Sequence, residues 1–290
     1  MPKLWSRREA LSGIAAGSGF LTSGKVWAQA AGTGQGLLAR LQAQKKAKIG
    51  VVNQMPYSGV NPDGTLDGIG PALSKIIMQR LGVPEIEGVA GTYGDMVPGM
   101  QAGRWDFISA SLVITKARCA QILFADPILF DGGMFVFLKG SIAELPKSVA
   151  DLAAQKLIVG VSQGGAHMRV AIEAGVDQSN LRQFPSDVST FDGLVAKRIQ
   201  VAFGSFASLD RTAKLRGLAV ETTFPVPDDP EHGSSCAFRN ADRDLYDAYQ
   251  KELRAMKASG EYLPIAQKFG FDTPPSLMPM TAEEACSKST

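Results

Sequence analysis

The stretch Trp105-Asp106-Phe107-Ile108-Ser109-Ala110-Ser111-Leu112-Val113-Ile114 runs directly into Thr115-Lys116-Ala117-Arg118-Cys119. Its apolar part reads as a buried strand, and the residues after it as a turn into a helix. A guanidinium held at such a junction can grip a carboxylate through two parallel hydrogen bonds. A lone arginine is more often a surface ion pair, so the surroundings of Arg118 decide. Working backwards, Thr92 can cap a helix reaching Ala102, with Gly103 after it and Pro98 disturbing its regularity. Ile86 to Val89 reads as a short strand. Gly70 to Leu81 sets Leu73, Ile76, Ile77 and Leu81 on one helical face. Lys48 to Asn53 is a strand rich in Ile and Val, preceded by a polar lead-in, Gly32 to Lys46. This β-α-β-α-β alternation predicts an α/β fold with a mainly parallel sheet covered by helices on both faces.

The rhythm repeats after Gly140. Ser148 to Ala154 is predicted helical, Lys156 to Val161 a strand, Ala166 to Ala174 helical, and Leu181 to Phe184 extended. Val188 to Ala196 is predicted helical and Ile199 to Phe203 a strand. The corner Gln101-Ala102-Gly103-Arg104-Trp105-Asp106-Phe107-Ile108 is echoed by Val195-Ala196-Lys197-Arg198-Ile199-Gln200-Val201-Ala202. Two further β-rich runs, Met134 to Leu138 and Ser235 to Phe238, read as paired crossover strands. A long polar helix follows from about Asp242 to Ser259. The domain expectation is a first lobe of residues 31–138 plus 239–290 and a second lobe of residues 139–238. Two lobes joined by two strands can close over a ligand by hinge motion.

Ser6-Arg7-Arg8-Glu9-Ala10-Leu11 reads as a twin-arginine export signature. The weakly apolar stretch Ser12 to Leu21 follows, and Ala28-Gln29-Ala30 offers cleavage after Ala30. The alternative is a short membrane anchor, but a bilayer span needs roughly 20 apolar residues. Residues 1–30 hold Lys3, Arg7, Arg8 and Lys25 against Glu9. Without them the chain's 30 basic and 28 acidic residues become 26 and 27. The apparent basicity thus belongs to the export signal, and no basic run with interleaved aromatics remains to suggest nucleic acid. Three cysteines are too few for a disulfide scaffold and lack metal-ligand spacing; an exported chain could form one bridge or none.

Read in order, Met55-Pro56-Tyr57, Met100-Gln101-Ala102-Gly103-Arg104-Trp105-Asp106, Ile114-Thr115-Lys116-Ala117-Arg118 and Phe124-Ala125-Asp126-Pro127 resemble the family 3 extracellular solute-binding proteins. The resemblance covers roughly Lys48 to Phe271. Arg118-Cys119 with Ala285-Cys286 looks most like the ectoine and hydroxyectoine receptors within that family. It implies a two-lobed periplasmic-binding-protein fold of type II. It also implies a periplasmic receptor, a monomer, that passes a small carboxylated solute to an ABC permease in the inner membrane, with no cofactor, no metal and no chemistry. Cys119 and Cys286 are the expected disulfide, leaving Cys236 a buried thiol. By the same resemblance Arg118 holds the ligand carboxylate beside Ser111 and Val113, and Gly164, Gly165 and Ala166 offer backbone N–H groups at a helix start. Tyr57 and Tyr93 are candidate ring contacts, worth about 0.5–2 kcal/mol against a cation, unless they are ordinary core.

The sequence also departs from that pattern. Gln54 stands where the ectoine receptors tend to carry Glu, Val113 where they tend to carry an aromatic, and Ala166 where the family often has a hydroxyl. Amino-acid receptors usually place an Asp just after the strand matching Ile199 to Phe203. Here Phe203-Gly204-Ser205-Phe206 has no acid, and Asp210 lies too far along. An ammonium desolvated without a counter-charge is costly, so a ring zwitterion or a plain organic acid is the expectation over an α-amino acid. Two enzyme alternatives remain. Gly160-Val161-Ser162-Gln163-Gly164 matches G-x-S-x-G between a strand and a helix, with Asp228, Asp229 and His232 downstream in hydrolase order. The other is a dehydratase on the receptor fold. Neither His167 nor His232 has a metal-ligand partner at useful spacing.

Overall fold

Leu37 and Leu41, four residues apart, bury themselves against the first core, so the expected polar lead-in contains a helix, α1 (Leu37–Gln44). Asp244 holds its start by accepting the Leu38 N–H at 2.7 Å. The computed structural model describes residues 36–272 and 279–289, and the expected export signal lies outside them. After α1 come β1 (Lys46–Val51), the hairpin β2 (Gly59–Val60) and β3 (Leu66–Asp67), α2 (Ile69–Arg80), β4 (Glu85–Ala90), α3 (Tyr93–Gln101) and β5 (Phe107–Val113). The short α4 (Lys116–Cys119) leads to β6 (Ile122–Phe124) and β7 (Leu129–Asp131). The second series is β8 (Gly133–Leu138), α5 (Val149–Ala154), β9 (Val159–Ser162), α6 (Ala166–Glu173), β10 (Leu181–Phe184), α7 (Asp187–Val195), β11 (Val201–Ser205), α8 (Phe206–Arg216) and β12 (Val220–Thr223). The chain then returns through β13 (His232–Arg239), α9 (Arg243–Ala258), α10 (Tyr262–Lys268) and α11 (Ala282–Lys288).

Strand order is β4-β1-β5-β13-β6 in the first sheet, with β7 also on β13, and β10-β9-β11-β8-β12 in the second. Within each, the β-α-β-α-β part is parallel, as predicted. The sheets as wholes are mixed rather than mainly parallel, because β13 and β8 run antiparallel to all their neighbours. Those two strands are reached by crossing between lobes rather than through a covering helix, and only the helical crossover imposes parallel direction.

The two β-rich runs do not pair with each other as expected. Each has its partners within one sheet: β8 sits between β11 and β12, and β13 between β5 and β6. The crossings are the links beside them, Gly132 on the way out and residues 224–231 on the way back. They lie together, the Gly133 N–H donating to Asp229 O at 3.5 Å. By sheet membership β8 therefore belongs to the second lobe and β13 to the first, where the sequence reading divides them at 138 and 239.

Helices cover both faces of each sheet. Leu73 and Ile77 of α2, Leu245, Tyr249 and Leu253 of α9 and Tyr262 of α10 fill one side of the first, Met96, Met100, Ala282 and Ala285 the other. Val149, Leu152 and Ala171 cover one face of the second sheet, Phe191, Leu194 and Leu209 the other. Helix α3 continues through Pro98 without a break, since Pro98 is on its exposed face, where the orphaned carbonyl a turn earlier can be hydrated. Among the described residues no helix is long and apolar enough to cross a membrane.

Candidate functional site

The carboxyl ends of β1 and β5 and the loop after β9 open on a common cleft between the lobes. On the first lobe, β5 carries a bulge opposite β13: Ile108 pairs with Ala237 and Leu112 with Ser235, so β5 spends more residues over the same span. Within it Ser111 adopts φ 47°, a left-handed conformation costly for a residue with a Cβ. The bulge turns Ser111 and Val113 toward the cleft. Thr115 then caps α4, its hydroxyl accepting the Arg118 N–H. The Arg118 guanidinium donates to Val113 O at 2.8 Å and, across the cleft, to Gly164 O at 2.9 Å. Burial brings its pKa down to about 10, which leaves it charged at neutral pH. Two of the five donors of the fork are so engaged.

From the second lobe, Gln163-Gly164 closes against the start of α3. The Gly94 N–H donates to Gln163 O at 3.1 Å. Gly164 has φ 67°, and a Cβ there would fall 2.3 Å from Gly94 Cα. Asp187, at the start of α7, points into the same cleft and is fully buried. It accepts from Gln54 Nε2 at 2.9 Å, Ser162 Oγ at 2.5 Å and Ser205 N at 3.0 Å, while its own N–H donates to Gln54 Oε1 at 3.1 Å. Gln54 and Asp187 thus exchange two bonds across the lobes. Asp131, at the end of β7, accepts the Tyr57 hydroxyl and the Ala207 N–H. Burial raises the pKa of both acids, that of Asp131 to about 6. Burial also pushes Tyr93 up, with Asp187 adding to it. The cleft therefore has a cationic wall at Arg118 and two acids that would gain from a nearby positive charge.

A family model, that of the bacterial extracellular solute-binding proteins, family 3, matches residues 47–272. The chain belongs to this family. It is a solute-binding protein. A probable amino-acid ABC transporter periplasmic-binding protein of Sinorhizobium fredii is 24% identical over 287 residues, spanning 92% of this chain and 95% of that one. The histidine-binding periplasmic protein of Salmonella typhimurium is 26% identical over 242 residues, 79% of this chain and 89% of that one. Among solved structures, EhuB in complex with hydroxyectoine superposes with a TM-score of 0.82 at 33% identity, covering 87% of this chain and 98% of that one.

Of the residues singled out in the sequence, Arg118, Gln54, Tyr57, Tyr93, Ser111, Val113, Gly165 and Ala166 all line the cleft of this solute-binding protein. Gly164 stands at its rim and lends Arg118 a carbonyl. Gly204 is one layer back: a Cβ on it would meet the Asp187 carboxylate at 2.6 Å, so the glycine makes room for that acid. Cys119 and Cys286 form the expected disulfide, Cα atoms 6.1 Å apart, and Cys236 is a buried thiol. The bridge ties α4, which carries Arg118, to α11.

The missing counter-charge is a correction. Asp187 reaches the end of β11 from another element and occupies the place where the sequence shows no acid. Asp210 instead pairs with Lys214 at 2.7 Å. Asp131 and Asp187 are the residues that sequence reasoning missed. The hydrolase alternative gains no support: the Ser162 hydroxyl donates to Asp187, Asp228 holds the N-terminal N–H groups of α5, and His232 is bound to Asp229. A serine whose proton goes to a carboxylate has no imidazole base at its oxygen. Among the described residues no cluster of three or more His, Cys, Asp or Glu could hold a metal ion.

Proposed function

We propose that this chain is the periplasmic receptor of an ABC importer, exported by the twin-arginine route, and that it captures a small zwitterion between its lobes without transforming it. The observation that carries the reading is the division of charge within one cleft, with Arg118 on one side and Asp131 and Asp187 on the other. Arg118 holds the carboxylate with Ser111, Val113 and the Gly164-Gly165-Ala166 backbone around it. Asp187 and Asp131 balance the cationic end, between Tyr57 and Tyr93. The likeness to EhuB supports a hydroxyectoine- or ectoine-like ring zwitterion. With Asp187 in place, an amino acid also finds its counter-charge, in keeping with the amino-acid receptors among the relatives. The monomeric loaded receptor hands its cargo to a permease in the inner membrane.

Calorimetry with hydroxyectoine, ectoine, L-arginine, L-histidine and simple monocarboxylates tests this. A zwitterion binds, and acids lacking a cation do not. Arg118→Ala weakens binding at least about tenfold, since charge-assisted hydrogen bonds contribute roughly 1.5–3 kcal/mol. Equal affinity for monocarboxylates, or an unchanged affinity in Arg118→Ala, would overturn the reading.

A further inference from the structure

Strand β13 begins at the cleft, and its side chains alternate between the two faces of the first sheet. His232 and Ser234 line the cleft. Gly233 and Ser235 face the other way: a Cβ on Gly233 would meet Pro127 and Phe130, and the Ser235 hydroxyl donates to Asp126 O at 2.9 Å. The two-residue period therefore turns the Ser234 side chain to the ligand's side of the strand.

Ser234 is 3% exposed, yet among the described residues its hydroxyl has no hydrogen-bond partner. Other polar groups of the cleft are engaged. Asp187 takes both ends of Gln54 and the Ser162 hydroxyl, and Asp131 takes that of Tyr57. The Tyr93 and Ser205 hydroxyls also lack a partner among the described residues, but both side chains are half-buried and water can reach them. A hydroxyl nearly shut from bulk solvent without a partner is uncommon in a native fold and calls for an explanation.

The strand register says what this hydroxyl would meet. Ser234 pairs with Val113 of β5, whose carbonyl accepts from the Arg118 guanidinium at 2.8 Å. Two residues toward the crossing, His232 pairs with Asp131 of β7. Along one face of β13, Ser234 thus stands between the cationic corner and an acid that balances a cation. A zwitterion laid with its carboxylate at Arg118 and its cation at Asp131 and Asp187 brings its middle carbons past Ser234. A methylene there leaves the serine unpaired, whereas a hydroxyl there completes a hydrogen bond.

We infer that Ser234 is a specificity-determining residue: its hydroxyl pairs with a hydroxyl that the ligand carries between its carboxylate and its cation, so the receptor selects hydroxylated zwitterions over their deoxy counterparts. This rests on the zwitterion reading of the cleft. Hydroxyectoine has its hydroxyl on the carbon next to the one bearing the carboxylate, and ectoine differs only in lacking it. L-threonine and L-α-aminobutyrate differ in the same way. Selection works through the group left behind. A deoxy ligand excludes water from Ser234 when the cleft is filled and gives it nothing in return.

Calorimetry of both pairs tests this, on the unaltered protein and on Ser234→Ala. In the unaltered protein the hydroxylated member of a pair should bind at least about tenfold more tightly than the deoxy member. In Ser234→Ala that ratio should fall to within about threefold, and the change in ratio between the two proteins isolates the hydroxyl–hydroxyl term. The ratio in the unaltered protein is informative even if the variant does not fold. Equal affinities within both pairs overturn this inference and leave the zwitterion reading intact. Equal weakening of both members in Ser234→Ala also overturns it, since the serine then serves the carboxylate. Binding of L-arginine or L-histidine alone overturns it likewise. No binding of any of the six compounds overturns both readings.

Discussion

Gln54 and Asp187 show how one side chain determines what its partner can be. The amide offers a donor to the carboxylate and an acceptor to the Asp187 N–H, so both ends of Gln54 are used across the lobes. A glutamate at 54 would set a second carboxylate against a fully buried first one. Gln54→Glu should therefore weaken hydroxyectoine binding by about tenfold or more at neutral pH, by like-charge repulsion in a desolvated cleft. Calorimetry checks this, with Gln54→Leu showing what loss of the bonds alone costs. The departure from the ectoine-receptor pattern at 54 was legible in the sequence; its compensation was not. Pro185-Ser186-Asp187 reads locally as a helix start, with Ser186 as the cap and an acid in the first turn. A helix start accounts for an acid at this position, so nothing nearby shows that its carboxylate turns inward to Gln54, Ser162 and Ser205. Asp131 is hidden for a similar reason, since its partners Tyr57 and Ala207 are 74 and 76 residues away.

At the scale of elements, the two lobes touch where the loop after β9 meets the first turn of α3. The two glycines at this contact are not equivalent. A Cβ on Gly164 would lie 2.3 Å from Gly94 Cα and would require an unfavourable positive φ, whereas one on Gly94 would meet its nearest neighbour at an ordinary 3.6 Å. Gly164→Ala should accordingly abolish tight binding while Gly94→Ala changes it little, and small-angle scattering with and without ligand should show only the former failing to compact. Equal effects of the two would mean that this contact does not govern closure. Most elements were legible because their own signals are strong. Thr92, Ser148 and Ser186 each begin a capping box, and apolar periodicity marks α2. Helix α1 was not, because a two-turn helix with two buried leucines carries too short a pattern. The direction of β8 and β13 was not either. It follows from where the chain crosses, which no local periodicity encodes.

For the whole molecule, the repeat of β-α-β-α-β made the two lobes legible, and the family resemblance made their relation an expectation. The closed arrangement rests on Gln54 with Asp187, Arg118 with Gly164 and Gly94 with Gln163, each reaching from one lobe to the other. The disulfide stiffens the first lobe at the arginine that faces the second; a native bridge of this kind commonly contributes about 2–4 kcal/mol.

Strand β13 has a consequence for how this chain is made. It joins β5 to β6 and also carries β7, yet it is synthesised after every strand of the other sheet. On the ribosome the second lobe, contiguous from β8 to β12, can mature while the first still exposes the unpaired edges of β5 and β6. Pulse-labelled amide exchange during refolding should find β9 and β11 protected before β5 and β6. The half of the protein that begins the chain is thus the half that finishes last, and a nascent chain halted before His232 would present bare strand edges to its neighbours.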